Sequence, residues 1–392
     1  MRRSLRCLVA FTSVALLAAC AAPTDEDVGE TESAVETAET VTTPTGTVPR
    51  TLKVITAAAQ CPISTDCSRA WTDRFVDSIF RQHDPDIVIM TEMFWNGTYR
   101  NTVDQVGRVR PGVYNFYRGP REGVIDASGG TVIASKYVMS RKAEHEFTNR
   151  IKPDSYVDKG FAGARQRVGV LADGQVVEID VGATHFQSKT LGIFGNFTNV
   201  QSSQITETSR FVSGTGVWGP ATEPSTTLKI YSGDLNYSGA GPTWLGADKV
   251  TAGKANFAKL RDTVLLPYGF RDATDVCEGA MVASRATGCS SRTFVEKEPH
   301  EVMKQFHVPF AKLPTNPATM KKGEPTERGL YMIPQSQDVF ASGSDHEAKQ
   351  ITYALYVVTK RLDTGTTSTV RRKDRAPAPH EEGGGPAPHE EE

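Results

Sequence analysis

Residues 227–239 read TLKIYSGDLNYSG: an apolar run from Leu228 to Tyr231, a break at Gly233, then an acid and an amide two residues apart, Asp234 and Asn236. A short apolar run closed by a glycine predicts a buried strand followed by a sharp turn. The polar pair therefore falls at the strand's carboxyl end. Six further runs share the pattern, namely TLKVITAAA (51–59), DIVIMTE (86–92), GGTVIAS (129–135), RVGVLA (167–172), VVEIDVGAT (176–184) and ITYALYVV (351–358). They are predicted strands. Ser68 to His83 instead places Trp71, Phe75 and Ile79 at helical spacing, with Asp73, Arg74 and Asp77 for the other face. Helix-length and hairpin-length connections alternate without a fixed order, which predicts an α/β sandwich with mixed sheets rather than an all-parallel sheet.

Polar residues collect at the ends of these runs: Glu92 after the second, His185 and Gln187 after VVEIDVGAT, Asp234 and Asn236 in the opening stretch, Asp345 and His346 just before ITYALYVV. Singly, each has a plainer explanation: a surface carboxylate, a core histidine, a turn former. Convergence of all four clusters on one rim would make a site.

The chain has 392 residues, 38% hydrophobic and 23% charged, enough for one large globular domain. Its formal net charge of -2 gives no general attraction for nucleic acid, which is not the expected partner. MRRSLR, the short apolar CLVAFTSVALL and LAAC ending at Cys20 read as a lipoprotein signal (1–20), too short in its apolar core for a membrane span. Cys20 is the expected lipidation site, which places the protein in a bacterial cell envelope, anchored at a membrane surface or released. Residues 21–50 read as a disordered linker, 51–360 as one catalytic domain, and 361–392, with PAPHEE at 377–382 and 386–391, as a disordered tail whose His380 and His389 are solvated. With Cys7 and Cys20 in the signal, four cysteines remain in two local pairs, and export predicts the disulfides Cys61–Cys67 and Cys277–Cys289. Neither spacing suits zinc.

The polar clusters and their neighbours resemble those of the endonuclease/exonuclease/phosphatase superfamily, whose deoxyribonuclease I-like fold stacks two sheets between helices. TEMFWNGTYR (91–100) is similar to the "NE-V-F-DN" stretch of secreted bacterial neutral sphingomyelinases, GGTVIASKYVMS (129–140) to their "GG-V-I-SK-P-I", and DKGFAGARQRVGV (158–170) to their "NKGF" strand. THFQS (184–188), GDLNY (233–237) and SDHEA (344–348) resemble "THLQA", "GDMNV" and "SDHYP" in the same order. The resemblance implies a four-layer α/β sandwich, two mixed sheets packed between helices, and hydrolysis of sphingomyelin to ceramide and phosphocholine. It implies that Glu92 holds Mg²⁺, with Mn²⁺ or Co²⁺ as alternatives, and that Asp345 orients nearby groups or holds a second metal. His346 would be the general base, His185 would contact the phosphoryl group or assist the leaving oxygen, and Asp234 with Asn236 would position water and phosphate. The partners implied are a phospholipid or other phosphodiester, taken by a monomer.

Two departures weigh against full activity. LKVITAAAQ puts Ala58 where the family has an asparagine near the metal, and RGLYMIP puts Leu330 where many members have an aspartate. Losing such a partner costs about 10–100-fold in metal affinity or activity. Aromatic residues before the SDH motif reduce to Phe340, so the membrane-entering hairpin of some sphingomyelinases is not expected; FVEKEPHEVMKQFHVPF (294–310) is read as an amphipathic piece packed on the domain. The alternatives are an exported nuclease or other phosphodiesterase of the same fold, and a weakened or non-catalytic homologue.

Overall fold

A computed structural model describes residues 39–42, 44–59, 67–120, 128–150, 159–187, 197–212, 227–236, 255–273, 290–291, 303–308, 310–313, 326–342 and 347–361. The first sheet contains β1 (Glu39–Thr42), β2 (Thr51–Ala58), β3 (Ile87–Thr91), β4 (Asn115–Arg118), β5 (Val132–Ser135), β11 (Ser290–Ser291), β13 (Phe310–Leu313), β14 (Thr326–Ala341) and β15 (Glu347–Arg361). The second contains β6 (Val138–Glu146), β7 (Gly160–Val170), β8 (Val176–His185), β9 (Leu228–Asp234), β10 (Arg271–Asp272) and β12 (Met303–Val308). Both are mixed: β2–β3 and β8–β9 are parallel, whereas β14–β15 and β7–β8 are antiparallel.

Alternation along the strands creates three apolar layers, and three interfaces imply four stacked layers. Leu52, Val54, Ile87, Ile89, Ile179, Val181 and Ile230 fill the space between the sheets. On the far side of the first sheet, Ile55, Ala57, Val88 and Met90 meet Phe75, Val76, Ile79 and Val106 of the helical layer, α1 (Arg69–Val76), the π-helical Asp77–Gln82 and α2 (Asn96–Val109). On the far side of the second, Phe161 and Tyr231 meet Ile205, Phe211 and Val212 of α3 (Phe197–Val212) and Leu260 and Val264. The expected α/β sandwich with two mixed sheets between helices is therefore the observed architecture. Ser68 opens α1 by accepting from the Trp71 amide through its hydroxyl, in an N-cap arrangement.

Two expectations are corrected. The linker expected over 21–50 is ordered at its end: β1 pairs with Val357 to Lys360 of β15, and Val48 is buried in the intersheet cluster. Its apolar Val41 and Val48 are sparse, so periodicity gave no signal. The 294–310 segment is not a piece packed against the domain where it is described, because β12 lies inside the second sheet between β9 and β10. No described helix is long and apolar enough to cross a membrane; the signal, Cys20 and the tail beyond Arg361, the last residue of β15, lie outside the described residues.

β12 also carries a buried imidazole. His307 is fully buried near Asp272 and against the Tyr353 ring, and burial pushes its pKa from 6.5 down to about 3. Between those values the unfolded chain binds a proton that the folded chain refuses. Stability is therefore full above pH 6.5 and declines as pH falls towards about 3, by of order 3–5 kcal/mol. Urea melts from about pH 7 to about pH 4 should show this slope in the wild type and a shallower one in His307→Leu. Equal slopes would count against it.

Candidate active site

The intersheet space changes character along its length. Towards one end it is apolar, and at the level of Thr56 it turns polar, where the Thr56 and Ser232 hydroxyls bond across the two sheets at 2.6 Å. One pleat further, β9 presents Asp234 and β2 presents Ala58. The parallel register sets His185 beside Asp234, and Ala58 beside Thr91, the residue before Glu92.

Each polar residue is held by a specific backbone arrangement. Glu92 leaves β3 with φ 60, a left-handed conformation that costs a non-glycine residue energy and persists only where surroundings enforce it. They do: the Met93 amide donates to the Gly130 carbonyl at 2.9 Å, and the Phe94 carbonyl accepts from Arg118 at 2.7 Å and from the Ser128 amide at 2.8 Å. Arg118 is buried, bonds Asn96 and stacks 4.9 Å over the Tyr99 ring. Gly130, at φ 74, has no room for a side chain, since a Cβ would lie 2.9 Å from the Phe94 ring and 3.1 Å from the Glu92 Cα. The GG motif thus exists to let the Glu92 turn close.

The turn after β9 answers why an acid and an amide stand there together. Asp234 accepts the Asn236 backbone N–H at 2.8 Å, which folds the chain back, and Asn236, at φ 50, donates its side-chain amide to the Phe186 carbonyl at 2.9 Å. The turn is tied to the end of β8, where the Phe186 amide returns a bond to the Asp234 carbonyl at 3.0 Å. From α3, Gln201 donates to the carbonyls of Gln187 and Asn236, and Gln204 accepts the Gln187 amide. Both loops are therefore braced from behind.

The outcome is a compact cluster: one possible ligand atom from each of Glu92, His185 and Asp234 lies within 4.8 Å of the others. His185 Nε2 is 3.5 Å from Asp234 Oδ2, and its ring packs on Phe94 with centroids 5.5 Å apart. Four residues expected from sequence, Glu92, His185, Asp234 and Asn236, are brought together. Asp345, His346, Cys20, Cys61, Cys277 and Cys289 lie outside the described residues; Cys67 is disulfide-bonded. Leu330 is not part of the cluster. It pairs with Val357, eight residues along β15 from the residue opposite Thr56, so it sits roughly 26 Å away in the apolar intersheet core.

Sequence reasoning missed Lys159. This lysine is 2% exposed, with Nζ 2.9 Å from His185 Nε2 and 3.1 Å from the Phe186 carbonyl. The signal was its place in the KGF stretch, where a charged residue directly precedes a buried strand.

The donor set suits a hard divalent cation, because two carboxylates converge on one point and magnesium prefers oxygen ligands. The imidazole suits it less, since a lysine already holds its Nε2.

No protein-family model and no curated protein matches the sequence. Among solved structures, the chain is similar to beta toxin from Staphylococcus aureus with bound magnesium ions, at 16% identity over 77% of this chain and 99% of that one, with a TM-score of 0.47. It is also similar to sphingomyelinase C from Streptomyces griseocarneus, at 16% identity over 80% and 99% with a TM-score of 0.43. A third is an endonuclease/exonuclease/phosphatase family protein from Leptotrichia buccalis, at 11% identity over 77% and 99% with a TM-score of 0.46.

Proposed function

We propose that the protein is a metal-dependent phosphodiesterase with a sphingomyelinase-like reaction, cleaving a phospholipid phosphodiester by water attack. The observation that supports this best is the convergence of Glu92, His185 and Asp234 within 4.8 Å at the ends of three different strands. Hydrolysis of a phosphodiester needs positioning and relief of negative charge more than covalent chemistry. Glu92 and Asp234 would hold Mg²⁺, which when bound neutralises charge on the phosphoryl oxygens.

The remaining roles belong to the chain. His346, from the SDH motif, takes the proton of the attacking water, as the resemblance implies. Asn236, pinned to the Phe186 carbonyl, fixes the turn that carries Asp234. His185, held by Lys159, stands where it can bond a phosphoryl oxygen or the departing alkoxide, and the bond between phosphorus and that oxygen breaks as the water oxygen bonds. The Ala58 side chain offers no polar atom, so a bound metal would be held by fewer groups than the resemblance implies. Membrane association would come from a lipid on Cys20.

Purified protein with Mg²⁺, assayed on sphingomyelin vesicles, double-stranded DNA and a chromogenic phosphodiester, tests the reading. Phosphocholine release that stops in EDTA is expected. Cleavage of DNA alone would favour the nuclease alternative, and no cleavage of any substrate would withdraw the enzymatic reading.

A further inference from the structure

We propose that Lys349 belongs to this same site as a fixed source of positive charge, favouring a phosphate anion and opposing the metal; the proposal rests on the phosphodiesterase reading above. Lys349 lies opposite Thr56 in the antiparallel β15–β2 register, and directly opposed residues present their side chains to the same face. Thr56 reaches Ser232 of the other sheet, so Lys349 also points between the sheets. The next residues on that face, Ile351 and Tyr353, confirm the alternation because both are in the apolar intersheet cluster. Lys349 itself is 3% exposed.

Its level in the stack gives the charge a purpose. One pleat beyond Thr56 is Ala58, and one pleat beyond Ser232 is Asp234, so Lys349 stands in the last layer below the carboxylates. The backbone that carries it is anchored: Gln305 donates to the Lys349 carbonyl at 3.2 Å and to the Val54 carbonyl at 3.1 Å, joining the two sheets. An ammonium group withdrawn from water is costly, and the apolar neighbours on the same face show what a purely structural occupant looks like. Ala58, diagonal to it on β2, offers no polar atom in the space between. The carboxylates of Asp234 and Glu92 lie on one side of the polar layer, with Lys159 touching His185 from the second sheet.

A fixed positive charge in this layer acts in opposite senses on two ligands. It repels a divalent cation held by Glu92 and Asp234, and it attracts the monoanionic phosphodiester or a phosphate product. The metal affinity of this protein is accordingly low, and phosphate binds even without metal.

Isothermal titration of the full chain, once with inorganic phosphate in EDTA and once with Mn²⁺ alone, reads both effects. The wild type should bind phosphate saturably without metal. Lys349→Met should weaken phosphate by about tenfold or more and tighten Mn²⁺ by about tenfold, whereas Lys349→Arg should leave both close to wild type. Unchanged affinities in a folded Lys349→Met variant overturn the proposal. Should that variant fail to fold, Lys349→Gln is measured in its place, and absence of phosphate binding to the wild type in EDTA is by itself enough to overturn it. Hydrolysis by the wild type with unchanged binding in the variants defeats the Lys349 assignment alone. Shifted binding without hydrolysis of any ester defeats the enzymatic reading alone.

Discussion

His185→Ala should lower phosphodiester turnover by about 10²–10⁴-fold at saturating Mg²⁺, the range over which a positioned acid, base or hydrogen-bond donor contributes. The imidazole is 1% exposed in its side chain and stands at the meeting point of the cluster, 2.9 Å from Lys159 and 3.5 Å from Asp234. Alanine removes the group proposed to contact the phosphate and also the acceptor that holds Lys159. Loss of turnover is therefore expected with a measurable fall in melting temperature, because a buried ammonium then loses one of its partners. His185→Gln separates the two effects. Its amide can still accept from Lys159 but cannot carry a proton to a leaving alkoxide, so stability should recover while turnover does not. Steady-state rates measured beside circular dichroism and thermal melts decide the matter. Turnover within about fivefold of wild type in a folded His185→Ala protein would remove the residue from the chemistry.

Much of the sandwich is legible in the chain because its central strands are covered on both faces. β2, β3, β8 and β9 are buried along nearly their whole length, and each carries enough Val, Ile, Leu or Ala to be read as a strand covered on two sides. The strands that escape are those whose environment differs. β6 is an edge strand, VMSRKAEHE, largely exposed and bent by a bulge at Arg141, so it shows charge where the central strands show valine and isoleucine. β12 buries Gln305 and His307, two polar residues of MKQFHV, so its buried positions do not read as apolar in the sequence. The Gln305 amide is satisfied by carbonyls of the other sheet, a partnership between residues 44 and 251 positions apart. No local reading reaches that far.

The site divides along the same line. Glu92, His185, Asp234 and Asn236 were readable because small motifs at strand ends carry them. Lys159 and Lys349 were not, since a lysine in isolation reads as a solvated surface residue and only the neighbouring sheet shows it to be buried. Leu330 errs in the opposite direction. Its motif position suggested a lost site residue, yet the register sets it deep in the apolar end, where an aspartate would be buried among Leu52-type neighbours without a partner.

Lys159→Met should reduce kcat by about 100-fold or more with a smaller change in KM. In the proposed reaction the lysine acts as a positioning residue behind His185: its two bonds, to His185 Nε2 and to the Phe186 carbonyl, join the ends of β7 and β8 at the site. The same carbonyl accepts the Asn236 amide, so one atom links the lysine to the turn that carries Asp234. Methionine matches the aliphatic stem but donates no hydrogen bond. His185 is then free to turn towards the Asp234 carboxylate, now lacking the adjacent ammonium, and an imidazole locked onto Asp234 is out of place for the phosphate. An interaction needed to present a group in the transition state appears in kcat, whereas one that merely binds substrate appears in KM. Arginine should not restore activity, because its planar guanidinium is larger and rigid, whereas the ammonium makes both bonds from a single compact nitrogen. A purely structural lysine predicts a different result: a lower melting temperature, with kcat per folded molecule unchanged in both variants. Rates normalised to active folded protein, taken for Lys159→Met and Lys159→Arg below their melting temperatures, distinguish these outcomes, and an unchanged kcat would reduce Lys159 to a buried support of the β7–β8 edge.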